Sequence, residues 1–355
     1  MQHFTRHTLA AATRLDPLPD APLLFAGTPE IAATALRRLA AAGAQFAAVL
    51  TRPDAPVGRK RRLTPSPVAQ AAEDLGLPVI RADRVDEEVT AQLTATGAQL
   101  GIVVAYGALL PRPALDALPL GWVNLHYSAL PAHRGAAPVP HSILAGDETT
   151  AATVFQLEPG MDTGPLHGMC DYPIDVGISA GQLLEELTEI GSELLQVLLP
   201  RLLDGTSEPT SQQGEPSYAG KLRRSDAYVD PRATADEVAR RANATIPEPG
   251  AWTWHGDRRL KLGPLRPLSA QPPDSDLPHA AEPRPAAEPS EPGTLLTVDS
   301  AGEGGGTGGE IAMRTGDGGA VLLSTVQPEG KQMMEAQAWL RGQQGPVVLG
   351  TDPQP

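Results

Sequence analysis

The chain has 355 residues, which is enough for two domains that each bury a core of their own. Its single cysteine, Cys170, excludes an internal disulfide framework and favours a reducing compartment. No run of about 18 apolar residues occurs, so the sequence predicts no transmembrane helix. The formal net charge of −14 argues against a polyanionic partner, but the basic residues are clustered, so a nucleic acid is not excluded.

The first 21 residues have a composition of their own. They contain Arg6 and Arg14 with no acidic residue before Asp16, which has some similarity to an organellar transit peptide. They lack a long apolar segment and an obvious cleavage pattern. We therefore expect a disordered N-terminal extension over residues 1–21.

Apolar runs alternate with helical stretches from residue 22 onward. The runs cover 22–26, 46–50, 78–80 and 99–105, and helices are expected up to Leu39 and over 67–75 and 86–96. Buried strands that alternate with helices predict an α/β domain with a Rossmann-like parallel sheet, covered on both faces. The opening A-G-T-P-E lacks the three spaced glycines of a dinucleotide fingerprint, which disfavours a dehydrogenase.

A second, smaller domain is predicted after this one. Ser179 and Gln182 form a capping box before a leucine stripe, so a long helix should end the first domain, residues 22–204, near Leu203. Short strands with glycine turns then predict an OB-like β-barrel. We expect a linker over 205–225, the barrel over 226–345 with a disordered insertion at about 269–292, a flexible glycine-rich loop at 302–309 and a tail over 346–355.

Two polar residues end the next predicted strand. Asn124 and His126 alternate with Val123 and Leu125, so both polar side chains should leave one face of the sheet. The proline- and glycine-containing residues 131–138 then form a loop. Because ligands bind at the carboxyl ends of parallel strands, this position predicts an active site.

Asp162 is the candidate partner of this pair. It lies in the G-M-D-T-G turn that follows the strand-like T-V-F-Q-L. A carboxylate beside His126 would raise the pKa of the imidazole and make it an acid at neutral pH, and Asn124 could stabilise an oxyanion. Without a nucleophilic Ser or Cys nearby, the trio favours direct acyl transfer to an amine. A purely structural role for the N-x-H pattern is the alternative, and we expect no metal site.

N-L-H-Y-S-A-L-P-A-H-R-G-A-A-P and the later G-M-D-T-G together resemble the signature of the folate-dependent formyltransferases. F-A-G-T-P-E, P-D-A-P-V-G-R-K-R-R-L-T-P-S-P-V, V-V-A-Y-G-A-L-L-P and Y-A-G-K-L extend the likeness over roughly residues 23–340. These stretches resemble those of the members that formylate methionine on initiator tRNA. The resemblance implies Asn124, His126 and Asp162 as the catalytic trio, with 10-formyltetrahydrofolate as donor and initiator methionyl-tRNA as acceptor in translation initiation.

Further residues take roles from the same resemblance. Those implied to line the folate pocket are Val103, Ala105, Tyr106, Gly107, Leu109, Pro111, Ser128, Leu130 and Pro131. Those implied to bind tRNA are Arg59, Lys60, Arg61, Arg62 and Lys221, with Arg59 singled out because it follows a glycine. A solvated surface is the alternative for this run of cations. We also expect a monomer in the bacterial cytoplasm, with an organellar location as the alternative.

Other functions stay open at this point. A formyltransferase for glycinamide ribonucleotide or an amino sugar would keep the trio, but the basic loop and the second domain argue against it. An RNA-binding protein with a relic catalytic domain is disfavoured because all three residues of the trio are present. A dehydrogenase is favoured only by the alternating strands and helices.

Overall fold

The computed structural model describes residues 2–12, 18–58, 61–268, 291–298 and 310–351. The expected insertion, apart from residues 291 and 292, and the whole of the 302–309 loop lie outside these ranges. The chain divides into two compact units. The first comprises Met1–Ser142, Glu148–Pro173 and Leu183–Lys221, and the second comprises Ile143–Asp147, Ile174–Gln182 and Leu222–Pro355.

One eight-stranded sheet forms the centre of the first unit. In chain order the strands up to residue 219 are β1 (Gln2–Phe4), β2 (Pro22–Gly27), β3 (Gln45–Thr51), β4 (Ala55–Val57), β5 (Arg62–Thr64), β6 (Val79–Arg81), β7 (Leu100–Val104), β8 (Trp122–His126), β9 (Arg134–Gly135), β10 (Thr149–Gln156), β11 (Leu166–Pro173) and β12 (Tyr218–Ala219). The helices are α1 (Arg6–Ala12), α2 (Glu30–Ala41), α3 (Pro67–Asp74), α4 (Glu87–Ala95), α5 (Arg112–Leu115), α6 (Pro138–Ala145) and α7 (Ala180–Leu203).

The strand order of this sheet is β1-β11-β10-β8-β7-β2-β3-β6. The five strands from β8 to β6 run parallel to one another, whereas β10 is antiparallel to both β8 and β11. The four strands predicted between residues 22 and 105 correspond to β2, β3, β6 and β7. The Rossmann-like sheet is therefore confirmed, with an antiparallel addition on one side.

Local sequence signals account for the helices between these strands. The Ser66 hydroxyl accepts a hydrogen bond from Ala69 N at 3.0 Å and caps α3, which has proline at its first position. The Asp86 carboxylate caps α4 in the same way through Val89 N at 3.0 Å. Strands β2 and β7 are buried on both faces, since only Pro22 among their residues is exposed. These signals are local, which is why they could be recognised in the sequence.

The register of three strands positions the predicted site. Asn124 in β8 pairs with Val103 in β7 on one side and with Phe155 in β10 on the other. His126, the last residue of β8, pairs with Thr153. Because β7 and β8 are parallel, the loops that follow them leave the sheet at the same edge.

The N-terminal residues differ from the prediction. We expected disorder over residues 1–21, but Gln2–Phe4 forms β1 and pairs in parallel with Gly168–Cys170 of β11. In α1, Leu9 is fully buried. The imidazole Nε2 of His3 lies 3.2 Å from an oxygen of Asp171. The disorder prediction is wrong for residues 2–12, because pairing with a distant strand leaves no local sequence signal.

The second unit contains two four-stranded antiparallel sheets. Their strands are β13 (Trp252–His255), β14 (Arg258–Leu262), β15 (Leu265–Pro267), β16 (Leu295–Val298), β17 (Glu310–Arg314), β18 (Ala320–Leu323), β19 (Thr325–Pro328) and β20 (Met334–Glu335), in the orders β13-β14-β19-β20 and β15-β18-β17-β16. The helices are α8 (Ala235–Ala244) and α9 (Ala336–Arg341). A smaller domain of small antiparallel sheets is therefore confirmed.

The described residues after 345 include two that pack into the core of this unit. Leu295 N donates to Val347 O, and Leu349 N donates to Gly293 O, each at 2.9 Å. Val347 and Leu349 are both buried. The prediction of a separate tail over 346–355 is therefore wrong up to residue 351. Within the described ranges, no helix combines the length and apolar character that crossing a membrane requires.

Candidate active site

Asn124 and His126 lie on one face at the carboxyl end of β8, as the alternation predicts. His126 is only 6% exposed, whereas Asn124 is half-buried. Across the described ranges, no hydrogen-bond partner is found for the Asn124 carboxamide. The amide is therefore a donor that a ligand at this edge can use.

Two oxygen atoms lie next to the imidazole of His126. Its Nε2 is 3.1 Å from the main-chain oxygen of His133, and its Nδ1 is 3.8 Å from Oδ2 of Asp162. The ring also meets Phe155 edge to face, with 6.2 Å between ring centroids. Since a carbonyl oxygen only accepts, the neutral ring carries its proton on Nε2 and presents the lone pair of Nδ1 toward the carboxylate.

The loop after β10 brings Asp162 to this position. Asp162 has a left-handed backbone with φ of 53°, and Gly160 before it has φ of 144°. Oδ2 of Asp162 accepts a hydrogen bond from Gly135 N at 2.7 Å, and the side chain is 15% exposed. The structure therefore brings Asp162 and His126 together. The catalytic role of the trio stays a prediction.

The protonation of His126 differs from the prediction. We expected the carboxylate to raise the pKa of the imidazole, but burial of the ring lowers this pKa below its ordinary value. The charge of Asp162 and the carbonyl of His133 act in the opposite direction and only partly offset burial. The imidazole is therefore predominantly neutral at pH 7 in the unliganded protein.

Five of the residues predicted for the folate pocket lie in the loop after β7, namely Ala105, Tyr106, Gly107, Leu109 and Pro111, whereas Ser128, Leu130 and Pro131 follow β8. Val103 is buried in the strand itself. Ala105 and Gly107 both have positive φ, 47° and 84°, so the chain turns sharply and leaves main-chain groups at the sheet edge. Leu109 is 90% exposed, and Pro111 precedes α5. An exposed leucine at such an edge is available to an apolar ring.

Tyr106 in the same loop contributes differently from its neighbours. Its side chain is buried, and its hydroxyl donates to Ala82 O at 2.9 Å. Its main-chain oxygen accepts a hydrogen bond from the Thr28 hydroxyl at 2.7 Å. The Tyr106 ring therefore anchors the loop to the core, and contact with a ligand would fall to the main chain around it.

The loop after β8 is held by its own side chains. The Ser128 hydroxyl donates to Ala132 O, and Ser128 O accepts from the Thr153 hydroxyl, each at 2.6 Å. Leu130 is buried, and its peptide bond to Pro131 is cis. Ser128 and Leu130 thus shape this loop from within.

Of the basic residues predicted to bind tRNA, Arg61 and Arg62 lie at an exposed pair of short strands. Strands β4 and β5 pair with each other, and all six of their residues are exposed. Arg62 belongs to β5, and Arg61 before it has φ of 48°. Arg59 and Lys60 lie outside the described residues. Lys221 is exposed at the end of the first unit.

Sequence reasoning missed the contribution of residues 205–221, which we interpreted as part of a linker. Gln212 donates to Asp162 O at 2.8 Å, and the Ser217 hydroxyl accepts from His133 N at 2.8 Å. Strand β12 also pairs with β9. Lys221 is the only residue of this segment to which sequence reasoning assigned a role, and Gln212 and Ser217 belong to no pattern that predicts a site, so only their contacts reveal their place beside the imidazole.

Among the described residues, no three side chains of His, Cys, Asp or Glu gather in a way that could hold a metal ion.

A buried imidazole beside a carboxylate, next to a carboxamide at the end of a parallel strand, is an arrangement suited to acyl transfer. Residues 23–199 match the formyl transferase family, and residues 221–344 match its C-terminal domain. The chain belongs to the formyl transferase family, which confirms the resemblance found in the sequence.

Two bacterial relatives are similar over nearly their whole length. The chain is 44% identical over 320 residues to the methionyl-tRNA formyltransferase of Clavibacter sepedonicus, covering 90% of this chain and 96% of that protein. It is 45% identical over 320 residues to the methionyl-tRNA formyltransferase of Paenarthrobacter aurescens, with the same 90% and 96% coverage.

A solved structure shares the fold. HypX from Aquifex aeolicus, in complex with tetrahydrofolic acid, has a TM-score of 0.59 at 15% identity and covers 92% of this chain and 47% of that chain.

Proposed function

We propose that this protein transfers the formyl group of 10-formyltetrahydrofolate to the α-amino group of methionine on initiator tRNA. The observation that carries the proposal is the buried imidazole of His126 with the Asp162 carboxylate 3.8 Å from it, on the same sheet edge as the half-buried Asn124. The relatives from Clavibacter sepedonicus and Paenarthrobacter aurescens, both methionyl-tRNA formyltransferases, support this acceptor.

The reaction is a direct acyl transfer. The amine nitrogen forms a bond to the formyl carbon and gives a tetrahedral intermediate with a negative oxygen. The bond from that carbon to N10 of the folate then breaks, so the products are a formamide and tetrahydrofolate. One proton moves in total, from the amine nitrogen to N10.

His126 can carry this proton. Its ring is neutral before the reaction because burial lowers its pKa. In the proposed step Nδ1 takes the proton of the attacking amine, either directly or through a water molecule. The imidazolium then directs one N–H group to His133 O and the other to Asp162, which stabilises its charge. When the intermediate collapses, the same proton passes to N10.

Asn124 stabilises the negative oxygen of the intermediate in this mechanism. Its carboxamide has two N–H donors, and neither has a hydrogen-bond partner among the described residues. A donor already aimed at the sheet edge needs little reorganisation when charge develops on the formyl oxygen. The loss of one such donor lowers kcat by about 10²–10³-fold in acyl-transfer enzymes.

The substrates are proposed to reach this edge from two directions. The loop of residues 105–111 offers main-chain groups and the exposed Leu109 to the pterin of the folate, and the folate complex of HypX is consistent with such a ligand. The exposed pair of short strands with Arg61 and Arg62, together with Arg59 and Lys60, offers positive charge to the acceptor end of the tRNA. Lys221 adds a further cation.

The direct test compares acceptors. Purified protein is given 10-formyltetrahydrofolate with initiator methionyl-tRNA, glycinamide ribonucleotide or an amino-sugar nucleotide, and product formation is followed for each. We expect efficient formylation of the tRNA only. Equal or higher rates on a small amine would refute the proposed acceptor.

A variant separates catalysis from binding. His126→Ala should abolish formylation and leave the affinity for tRNA unchanged, because the imidazole is buried in the first unit and acts on the reacting groups. Normal turnover in this variant would refute the mechanism. No turnover in the wild-type protein, combined with tight tRNA binding, would favour an RNA-binding protein with a relic domain.

A further inference from the structure

Both oxygen atoms that face the His126 ring are held by one stretch of chain, which we name the 205–221 segment. Ser217 Oγ accepts a hydrogen bond from His133 N at 2.8 Å, so it holds the residue whose carbonyl faces Nε2. Gln212 donates to the main-chain oxygen of Asp162 at 2.8 Å, so it holds the residue whose carboxylate faces Nδ1. The segment therefore holds His133 and Asp162, the two residues whose oxygen atoms lie next to the imidazole.

The orientation of the Gln212 amide is fixed by four contacts. Its oxygen accepts from Arg134 Nε at 3.1 Å and from the terminal guanidinium nitrogen of Arg134 at 2.5 Å. Its nitrogen donates to Asp162 O at 2.8 Å and to Gly164 O at 2.9 Å. A flipped amide would place its nitrogen against the guanidinium and its oxygen against two carbonyls, so a single orientation is compatible with these neighbours.

These contacts hold a turn of unusual backbone geometry. The Asp162 backbone is left-handed, a conformation that few residue types adopt and that Asp adopts more often than most. Gly164 has no room for a side chain, because a Cβ there would lie 1.8 Å from Gln156 O. Two hydrogen bonds from Gln212 bracket the turn at residues 162 and 164. Gly135 N holds Oδ2 of Asp162 directly at 2.7 Å, and Gln212 holds the main chain that carries this side chain, so the direction of the carboxylate depends on both.

We propose that Gln212 is a positioning residue for the transfer, which holds the Asp162 carboxylate against His126 while Arg134 holds Gln212. This inference rests on the proposed function. Gln212 acts through Asp162, so its loss displaces the carboxylate without removing it. A displacement of about 1 Å in a reacting constellation lowers turnover by as much as about 100-fold.

Two substitutions and one matched control test this role in the full-length protein. Gln212→Leu removes all four contacts, and Gln212→Glu keeps the acceptor for Arg134 but lacks the donors for the two carbonyls. Gln213→Leu is the control, because Gln213 is exposed and reaches only Ser211 O at 3.4 Å. We expect both Gln212 variants to lose about 10- to 100-fold in kcat. KM for both substrates should stay close to the wild-type values, and Gln213→Leu should behave as wild type.

A double variant separates positioning from a loss of folding. In the Asp162→Asn background, Gln212→Leu should lower kcat only slightly further, because the carboxylate that it positions is already absent. A thermal melt confirms that each variant is folded. Wild-type kcat in Gln212→Glu, or fully additive losses in the double variant, would overturn the proposal.

A readout without tRNA keeps the inference testable if the proposed function fails. The pKa of His126 is followed by NMR of its ring protons in the wild-type protein and in the Gln212→Leu and Gln213→Leu variants. Displacement of the carboxylate should lower this pKa in Gln212→Leu only. An unchanged pKa in Gln212→Leu would overturn the positioning role, whereas absence of tRNA formylation by the wild type would refute only the function.

Discussion

Asp162→Asn tests the central interaction of the site. Asparagine keeps the shape of the side chain, and its oxygen can still accept the hydrogen bond from Gly135 N, which measures 2.7 Å to the present carboxylate. What disappears is the negative charge 3.8 Å from Nδ1 of His126. The substitution therefore removes charge while it leaves the packing of the loop almost unchanged.

The magnitude follows from this separation. Two unit charges 3.8 Å apart attract each other by about 4 kcal/mol at an effective dielectric constant of about 20. The ring is neutral before the reaction and charged in the transition state, so the attraction develops during the chemical step and appears in kcat. Each 1.36 kcal/mol corresponds to a factor of about 10 in rate. Rearrangement of the neighbouring dipoles recovers part of the loss, and we expect kcat to fall about 10²–10³-fold.

Steady-state formylation of methionyl-tRNA measures this effect, and KM for both substrates should change by less than about 3-fold because binding is not altered. Glu158→Gln is the matched control, since Glu158 is an exposed carboxylate in the same loop. By NMR, Asp162→Asn should also lower the pKa of His126, because it removes the charge that raises this pKa. A folded Asp162→Asn protein with a kcat within about 5-fold of wild type would refute the ion-pair mechanism.

Three further outcomes are expected. Burial lowers the pKa of His167 to about 4 in the folded protein, whereas an imidazole in the unfolded chain has its ordinary pKa of about 6.5. As the pH falls from 7 to 5, the unfolded chain gains a proton at this residue and the folded chain does not. The free energy of unfolding should therefore fall by about 2 kcal/mol over this range. Denaturant titrations of the wild type and of His167→Gln measure this loss, which the variant should lack. Gly101→Ala would place a Cβ 2.0 Å from the Trp122 ring and should destabilise the fold by about 1–3 kcal/mol, seen as a lower Tm. Arg62→Ala should raise KM for tRNA but not for the folate, and reduce the salt dependence of tRNA binding by roughly one phosphate contact.

Each of these outcomes has its own contrary result. An equal loss of stability at low pH in His167→Gln would assign the effect to other groups. Gly220→Ala is the control for Gly101→Ala, because no atom lies within 4 Å of its added Cβ, and equal melting temperatures for the two variants would contradict the packing argument. An unchanged salt dependence in Arg62→Ala would show that this arginine is only a solvated surface group.

The sequence predicted the parts of the site that depend on periodicity. The alternation of Asn124 and His126 with apolar neighbours placed both side chains on one face at the end of a strand, and β8 has this arrangement. The direction of the His126 pKa shift was wrong for a physical reason. A sequence reveals the charged residue that could approach an imidazole, but it does not show that the ring is 6% exposed, and burial has the larger effect here.

Gln212 could not be identified in the same way. An uncharged amide among serines, prolines and glycines is typical of a linker, and its three partner residues, Arg134, Asp162 and Gly164, lie about 50 to 80 residues earlier in the chain. The pairing of Gln2–Phe4 with β11 spans more than 160 residues and is equally invisible to local patterns. Both features become visible only when the fold brings distant segments together.

The position of β1 has a practical consequence for work with this protein. Without β1, the eight-residue strand β11 would be the edge strand of the large sheet. Strand β1 pairs with Gly168–Cys170 in the middle of β11. An exposed edge strand pairs readily with another chain, and a three-residue edge strand has far fewer free backbone groups for such pairing. An affinity tag fused directly before Gln2, or a truncation that starts the chain at β2, would disturb the pairing of β1 with β11 and should promote aggregation of an otherwise intact catalytic unit.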